Sequence, residues 1–171
     1  MGTPERTVTE AIEMFGSIGL EGAEIVVQDG YHSGIPYDVD EAELQRIKDA
    51  AEKAGVEIVC LTPYYSRYNS LDDSIRQETI NGLKKVIDYA HFLGAKRIRI
   101  YGGEFLAGES DENGEKFRRL VAAMRECGDY AAQYDICLVI ENHFNTMCVT
   151  AAQLAAALKE IDHPNVGALY D

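Results

Sequence analysis

Helical and strand patterns alternate along this whole sequence, and the strand starts, near residues 23, 56, 96, 136 and 166, fall 33, 40, 40 and 30 residues apart. A repeat of that length admits few folds. Every strand is followed by a helix, so the strands are expected to run parallel with right-handed crossovers. Two architectures offer this repeat: a doubly wound open sheet and a (β/α)₈ barrel.

The individual elements carry local signals. Thr7 with Glu10 forms a capping box, and Val8, Ile12, Phe15 and Ile18 then make an apolar stripe that ends at Gly19. Asp40 with Glu43 is expected to start the second helix in the same way, over Leu44, Ile47, Ala51 and Ala54, with Gly55 as its stop. Helices are predicted over 74–93, with Gly94 as stop, and over 114–134. A last one is capped by Thr150 with Gln153 and terminated by His163-Pro164. Strands are predicted over 23–27, 56–61, 96–101, 136–140 and 166–170.

Strand composition separates the two architectures. A central strand of a doubly wound sheet is apolar on both faces, because helices cover both. Here charge recurs at alternate positions, at Glu24, Glu57, Arg97 and Arg99, with Ile98 and Ile100 turned the other way. A barrel lumen accommodates such a set, because acids and arginines on neighbouring strands meet there and pair; buried unpaired, each would cost several kcal/mol. The fold class expected is therefore α/β, a parallel barrel-type sheet, as one partial domain over 1–171. Only five strands are visible where a barrel has eight, corresponding to strands two to six. The five-strand sheet would expose apolar edges that invite association, as a homo-oligomer or with a complementing chain.

Composition narrows the function. Lys and Arg number 16 against 29 Asp and Glu, a net charge of −13, which argues against nucleic-acid and anionic-membrane surfaces because both need clustered cations. No apolar run reaches the roughly 18 to 20 residues that span a bilayer. The opening MGTPERTVTE has no basic-then-apolar leader pattern, so the cytoplasm is the default expectation. Cys60, Cys127, Cys137 and Cys148 have no C-x-x-C spacing, which argues against a disulfide framework or a zinc knuckle.

Polar residues gather where each strand hands over to its loop, the ligand face of parallel α/β folds. They are Asp29, Tyr31 and His32; then TPYYSRYN at 62–69; then Tyr101-Gly102-Gly103-Glu104; then Glu141-Asn142-His143; and Tyr170-Asp171. Glu141 and Asp171 end consecutive strands about 4.8 Å apart, so their carboxylates are placed to share a hard divalent ion such as Mn²⁺ or Mg²⁺. Each reads equally well as a helix cap or a solvated loop acid. His143 and His32 divide between pocket and ordinary loop residues. The tyrosines at 64, 65 and 68 either line a sugar pocket or pack under loops. Gly102-Gly103 matches no phosphate-binding fingerprint and suits close approach of a loop to a ligand.

On GLEGAEI at 19–25, VCLTPYYSRYNSLD at 59–72, AKRIRIYGG at 95–103, LVIENH at 138–143 and HPNVGALYD at 163–171, the chain resembles the xylose isomerase-like TIM-barrel superfamily. The likeness is to its sugar phosphate isomerase/epimerase branch. It implies a divalent metal, Mn²⁺ first and Mg²⁺ or Co²⁺ as alternatives, with Glu141 and Asp171 as two of its ligands. It also implies that Glu141 exchanges the proton beside a substrate carbonyl through an enediolate. His143, His32, Tyr64 and Glu104 would contact a small sugar or polyol. The family's remaining histidine and glutamate ligands come from strands that this sequence does not contain, which puts the activity of this chain alone in question. The alternatives are an inosose-type dehydratase of the same superfamily, or a non-catalytic truncated barrel or flavodoxin-like binding module. A base-excision endonuclease is disfavoured by four histidines and the net charge of −13.

Overall fold

A computed structural model of the chain describes residues 3–171; Met1 and Gly2, part of the opening stretch searched for a leader, lie outside it. The elements run α1 (Val8–Ser17), β1 (Gly22–Val27), α2 (Glu41–Ala54), β2 (Glu57–Pro63), α3 (Asp73–Leu93), β3 (Arg97–Tyr101), α4 (Glu115–Ala132), β4 (Cys137–Glu141), α5 (Ala151–Ile161) and β5 (Val166–Leu169). All five strands are parallel, and their order across the sheet is their order in sequence.

That order decides the architecture. A doubly wound sheet reverses its strand order and so places helices on both faces. Here each helix packs against the next, α1 on α2 through to α4 on α5, in one layer. One sheet face is covered by helices and the other is not, as in a barrel wall.

The two faces differ in chemistry. Ala23, Ile25, Val27, Leu61, Ile98, Ile100, Leu138 and Ile140 turn to the helices and are buried. Glu24, Thr62, Arg99 and Glu141 lie on the other face, as the register Glu24↔Cys60, Cys60↔Arg97, Arg99↔Val139 and Tyr101↔Glu141 requires. Two of the expected lumen charges share that face but stay at its N-terminal end, apart from this cluster. The register jumps between Ala23 and Glu24, from Ala23↔Ile58 to Glu24↔Cys60, so Val59 is an extra residue in β2. Glu57 lies before that bulge and is exposed. Arg97, at the start of β3, is also exposed, and neither forms an ion pair among the described residues.

Most helix boundaries follow their local signals. Thr7 and Thr150 form complete capping boxes, and Gly55 and Gly94 end α2 and α3 in the left-handed conformation. The box expected at Asp40 is only half formed, because the Glu43 carboxylate turns to Arg46 at 2.5 Å instead of reaching back. α4 starts one residue later than predicted. Gly114 has φ 64°, and Asp111 caps the helix from a distance by accepting the backbone N–H groups of Lys116 and Phe117 at 3.0 and 2.9 Å. β5 stops at Leu169 rather than at 170, where a side chain takes over the pairing as described below.

Among the described residues no helix is long and apolar enough to cross a membrane. All four cysteines are free, and burial pushes the thiols of Cys60, Cys127 and Cys148 up to about 11, 12 and 11. The thiolate is the reactive form, so these groups stay inert at pH 8. Ellman's reagent at that pH is expected to titrate at most the half-buried Cys137 in the native chain, and four thiols after unfolding. The face assignment has its own test in urea unfolding. Ile98→Ala, on the helix-covered face, should cost about 3 kcal/mol, whereas Arg97→Ala, next to it on the open face, should stay within about 0.5 kcal/mol of the parent.

Candidate active site at the strand C-termini

Glu141, the last residue of β4, is the most buried of the candidate acids, with a side chain 10% exposed. It lies opposite Tyr101 on β3 and Leu169 on β5. The Arg99 guanidinium, 12% exposed, approaches it from β3, with Nη1 2.9 Å from Glu141 Oε2. The contact is one of charge rather than an aligned hydrogen bond, and both atoms remain buried without a hydrogen-bond partner. Arg99 Nε stands 4.0 Å from Glu24 Oε1, the oxygen that accepts the Thr62 hydroxyl. Burial opposes the Arg99 charge, and the nearby Tyr101 and Glu141 outweigh it, so its pKa is moved up. Burial likewise pushes the Tyr101 phenol up.

An arc of rings closes over this pair. Arg99 Cζ lies 4.9 Å from the Tyr101 ring centroid and 5.5 Å from that of Tyr64. Tyr64 meets Tyr101 edge-on at 5.7 Å, Tyr101 meets His143 at 4.7 Å, and His143 stacks on Phe144 at 4.1 Å. Tyr31 extends the arc, stacked 6.1 Å from Tyr64. His143 Nδ1 is 2.9 Å from the Phe144 carbonyl oxygen. A carbonyl only accepts, so in the neutral ring Nδ1 carries the proton and Nε2 presents a lone pair. Tyr101, Glu104, His143 and Thr146 line a pocket of about 220 Å³ at this end of the sheet.

Two asparagines for which the sequence suggested no role hold the acids' backbones. The buried Asn69, after β2, donates from Nδ2 to the Glu104 carbonyl at 2.8 Å and accepts the Glu104 N–H on Oδ1 at 3.0 Å. Gly103 has φ 75°, and a Cβ there would stand 3.0 Å from the Asn69 carboxamide carbon, so the loop approaches this closely only as glycine. Glu104 is also bridged to Thr146, which knits the β3–α4 loop to the β4–α5 loop. Asn142 does for Asp171 what Asn69 does for Glu104. Its Oδ1 accepts the Asp171 N–H and its Nδ2 donates to the Asp171 carbonyl, both at 2.9 Å. A carboxamide carries one donor and one acceptor edge and so substitutes for a neighbouring strand.

The structure therefore gathers Glu141, His143, Tyr64 and Glu104 at one end of the open face. Asp171 is exposed, two residues past Leu169, the register partner of Glu141, with its backbone tied to Asn142. His32, next to Tyr31 of the arc, is exposed and makes no hydrogen bond among the described residues. Asn69→Ala would leave the Glu104 N–H and carbonyl without partners, at a cost of about 2 kcal/mol. Urea unfolding should register that loss, and amide exchange at Glu104 should speed up while exchange in β4 stays slow.

Comparison with known proteins follows this geometry. A family model described as xylose isomerase-like TIM barrel matches residues 13–171. A 3-dehydroshikimate dehydratase of Bacillus anthracis is 26% identical over 161 residues, which cover 92% of this chain and 54% of that protein. The structure of a D-allulose 3-epimerase from Methylomonas sp. in complex with D-allulose superposes with a TM-score of 0.80 at 22% identity, covering 96% of this chain and 56% of that one. A xylose isomerase-like TIM-barrel protein from Mycobacterium smegmatis in complex with magnesium gives 0.73 at 17% identity, covering 94% and 54%. The chain thus spans little more than half the length of these proteins, and the structural likenesses speak for the fold. With its family match running through β1 to β5, the chain belongs to the xylose isomerase-like TIM-barrel family.

Proposed function

We propose that this chain contributes Glu141 and Asp171 to a metal-dependent site that moves a proton beside the carbonyl of a small polyhydroxylated substrate, the chemistry of a sugar isomerase or epimerase. The observation that carries this reading is Glu141 Oε2, a buried carboxylate oxygen without a hydrogen-bond partner at the C-terminal end of a barrel strand. The D-allulose complex of one structural neighbour and the magnesium complex of another support it.

A divalent ion fits the donor chemistry present. Glu141 and Asp171 offer hard oxygens from adjacent strands, and Mn²⁺ or Mg²⁺ takes about six such donors. Among the described residues no three His, Cys, Asp or Glu side chains converge to hold an ion, so these two supply part of a coordination shell. When bound, the ion supplies fixed positive charge that makes a C–H next to a carbonyl acidic. Glu141 takes that proton and returns it. Return to the neighbouring carbon interconverts aldose and ketose, expulsion of a β-hydroxyl dehydrates, and inversion of the carbon would need a second acid, from outside these residues, to protonate the opposite face. His143 Nε2 accepts a substrate hydroxyl proton, Glu104 binds a second hydroxyl, and the Tyr64 and Tyr101 rings cover the sugar face and exclude water. His32, exposed on its loop, would reach only the outer rim of a bound substrate.

One observation favours a second reading within the same chemistry. Arg99 sits among the rings with Nη1 in charge contact with Glu141 but without an aligned hydrogen bond, and a guanidinium fork suits a carboxylate. A carboxylate-bearing ring ketone would engage it where a neutral sugar would not, which points to a dehydratase like the Bacillus anthracis relative. Proton NMR in D₂O with Mn²⁺ separates the two. Deuterium entering D-allulose or D-fructose supports the epimerase, and water loss from 3-dehydroshikimate supports the dehydratase. Glu141→Gln should lower either rate by about 10²- to 10⁴-fold. Absence of any Glu141-dependent exchange or water loss would remove both readings.

A further inference from the structure

The contact between Arg99 and Glu141 sets two roles for one oxygen against each other. Glu141 Oε2 is the oxygen that the metal reading above assigns to a divalent ion, and it already faces a cation, Arg99 Nη1 at 2.9 Å. The contact is misaligned enough that neither atom is hydrogen-bonded, so it holds the two charges together without the directional bonding that makes buried pairs strong. Arg99 also has a second acid within reach, since its Nε stands 4.0 Å from Glu24 Oε1. The guanidinium presents different edges to the two carboxylates, and the Tyr64 and Tyr101 rings hold it between them.

We propose that Arg99 competes with the divalent ion for Glu141: its guanidinium stands in the cation's place on Oε2, and it passes to Glu24 when the ion arrives. This rests on the metal reading given above. A departing Glu141 would ordinarily strand a buried guanidinium, which is costly. Glu24 prevents that, because its carboxylate is half-exposed, already oriented by the Thr62 hydroxyl, and has no closer cation among the described residues. Glu24 thus tunes metal affinity from a strand that supplies no ligand. The same exchange keeps the open sheet face from carrying an unneutralised buried carboxylate while no ion is bound.

The competition predicts effects of opposite sign from two substitutions on the same face. In isothermal titration with Mn²⁺ alone, Arg99→Met should bind about tenfold more tightly than the parent, because the competing charge is gone. Glu24→Gln should bind several-fold more weakly, because Arg99 then has no carboxylate but Glu141. If Glu24 acts through Arg99, Glu24→Gln should lose most of its effect in the Arg99→Met background, a coupling that general loss of negative charge would not produce. Melting without metal supplies a second readout. Arg99→Met should lower Tm, and Arg99→Met with Glu141→Gln should recover part of the loss. Should Arg99→Met fail to fold, Glu24→Gln decides alone, and unchanged Mn²⁺ affinity in it overturns the proposal. Binding that Glu141→Gln abolishes but Arg99→Met leaves unchanged or weakens overturns the competition and leaves the metal reading standing. Mn²⁺ binding that ignores Glu141→Gln, or none in any variant, overturns both.

Discussion

The rest of the molecule depends on how the open face of the sheet neutralises its own charge. Parallel strands in sequence order place every crossover helix on one side, so the other side has no apolar layer to pack against. Glu24, Arg99 and Glu141 lie there on three different strands, spanned by one guanidinium. Removing one partner from such a set exposes the others to the full desolvation penalty, about 3 to 5 kcal/mol for a well-buried pair. The face is therefore constrained in charge as tightly as the helix side is constrained in volume. The aromatic arc belongs to the same constraint, since Tyr64 and Tyr101 present ring faces to the guanidinium where water would otherwise solvate it.

Much of this was legible in the sequence, because the strand period is two and the charges fell on alternate positions. Arg99 and Glu24 were placed on the non-helical face by that argument alone, and Glu141 followed from its position at the end of an apolar strand. The same argument stopped short at Glu57, which pairs with Gly22 and so keeps the face of Glu24 but lies exposed at the N-terminal end of β2. Val59, just beyond it, adds a residue to β2 and resets the pairing register on either side of it. It also failed at Arg97, where alternation gave the right face but not the depth: the start of β3 lies at the open end, away from the acids. Helix caps were legible where a Thr preceded a Glu or Gln by three. They were not where Asp111 caps α4 across an intervening left-handed Gly114.

Asn69 and Asn142 mark what one sequence does not disclose. Each carboxamide binds a backbone segment far along the chain, 35 residues away for Asn69 and 29 for Asn142. Nothing local distinguishes them from ordinary loop asparagines. For Asn142 a physical signal exists only in retrospect: directly after the end of β4 it stands where the sheet ladder stops, and its side chain has the donor and acceptor to extend it by one more pair. β5 shows the result, since its ladder ends at Leu169 and Asn142 carries the pairing on to Asp171. The sequence places the end of that strand at Tyr170, one residue later, whereas the backbone partner there has already changed from main chain to side chain.

This last arrangement bears on how the two candidate ligands are set relative to one another. Glu141 and Asn142 are consecutive, and Asn142 grips the backbone of Asp171. The separation of the two residues' backbones is thereby fixed through main-chain and carboxamide geometry before either side chain chooses a rotamer. Side-chain freedom is what an ion must overcome on binding, at about 1 kcal/mol or more for each long side chain immobilised. Glu141 is already held by burial and by Arg99, while Asp171 keeps an exposed side chain on a fixed backbone. Glu24 and Glu141 face one guanidinium across the open side of the sheet, and Asp171 adds a further carboxylate beyond the end of β5. The carboxylates of that set outnumber its guanidinium, an imbalance that the divalent ion proposed above would offset.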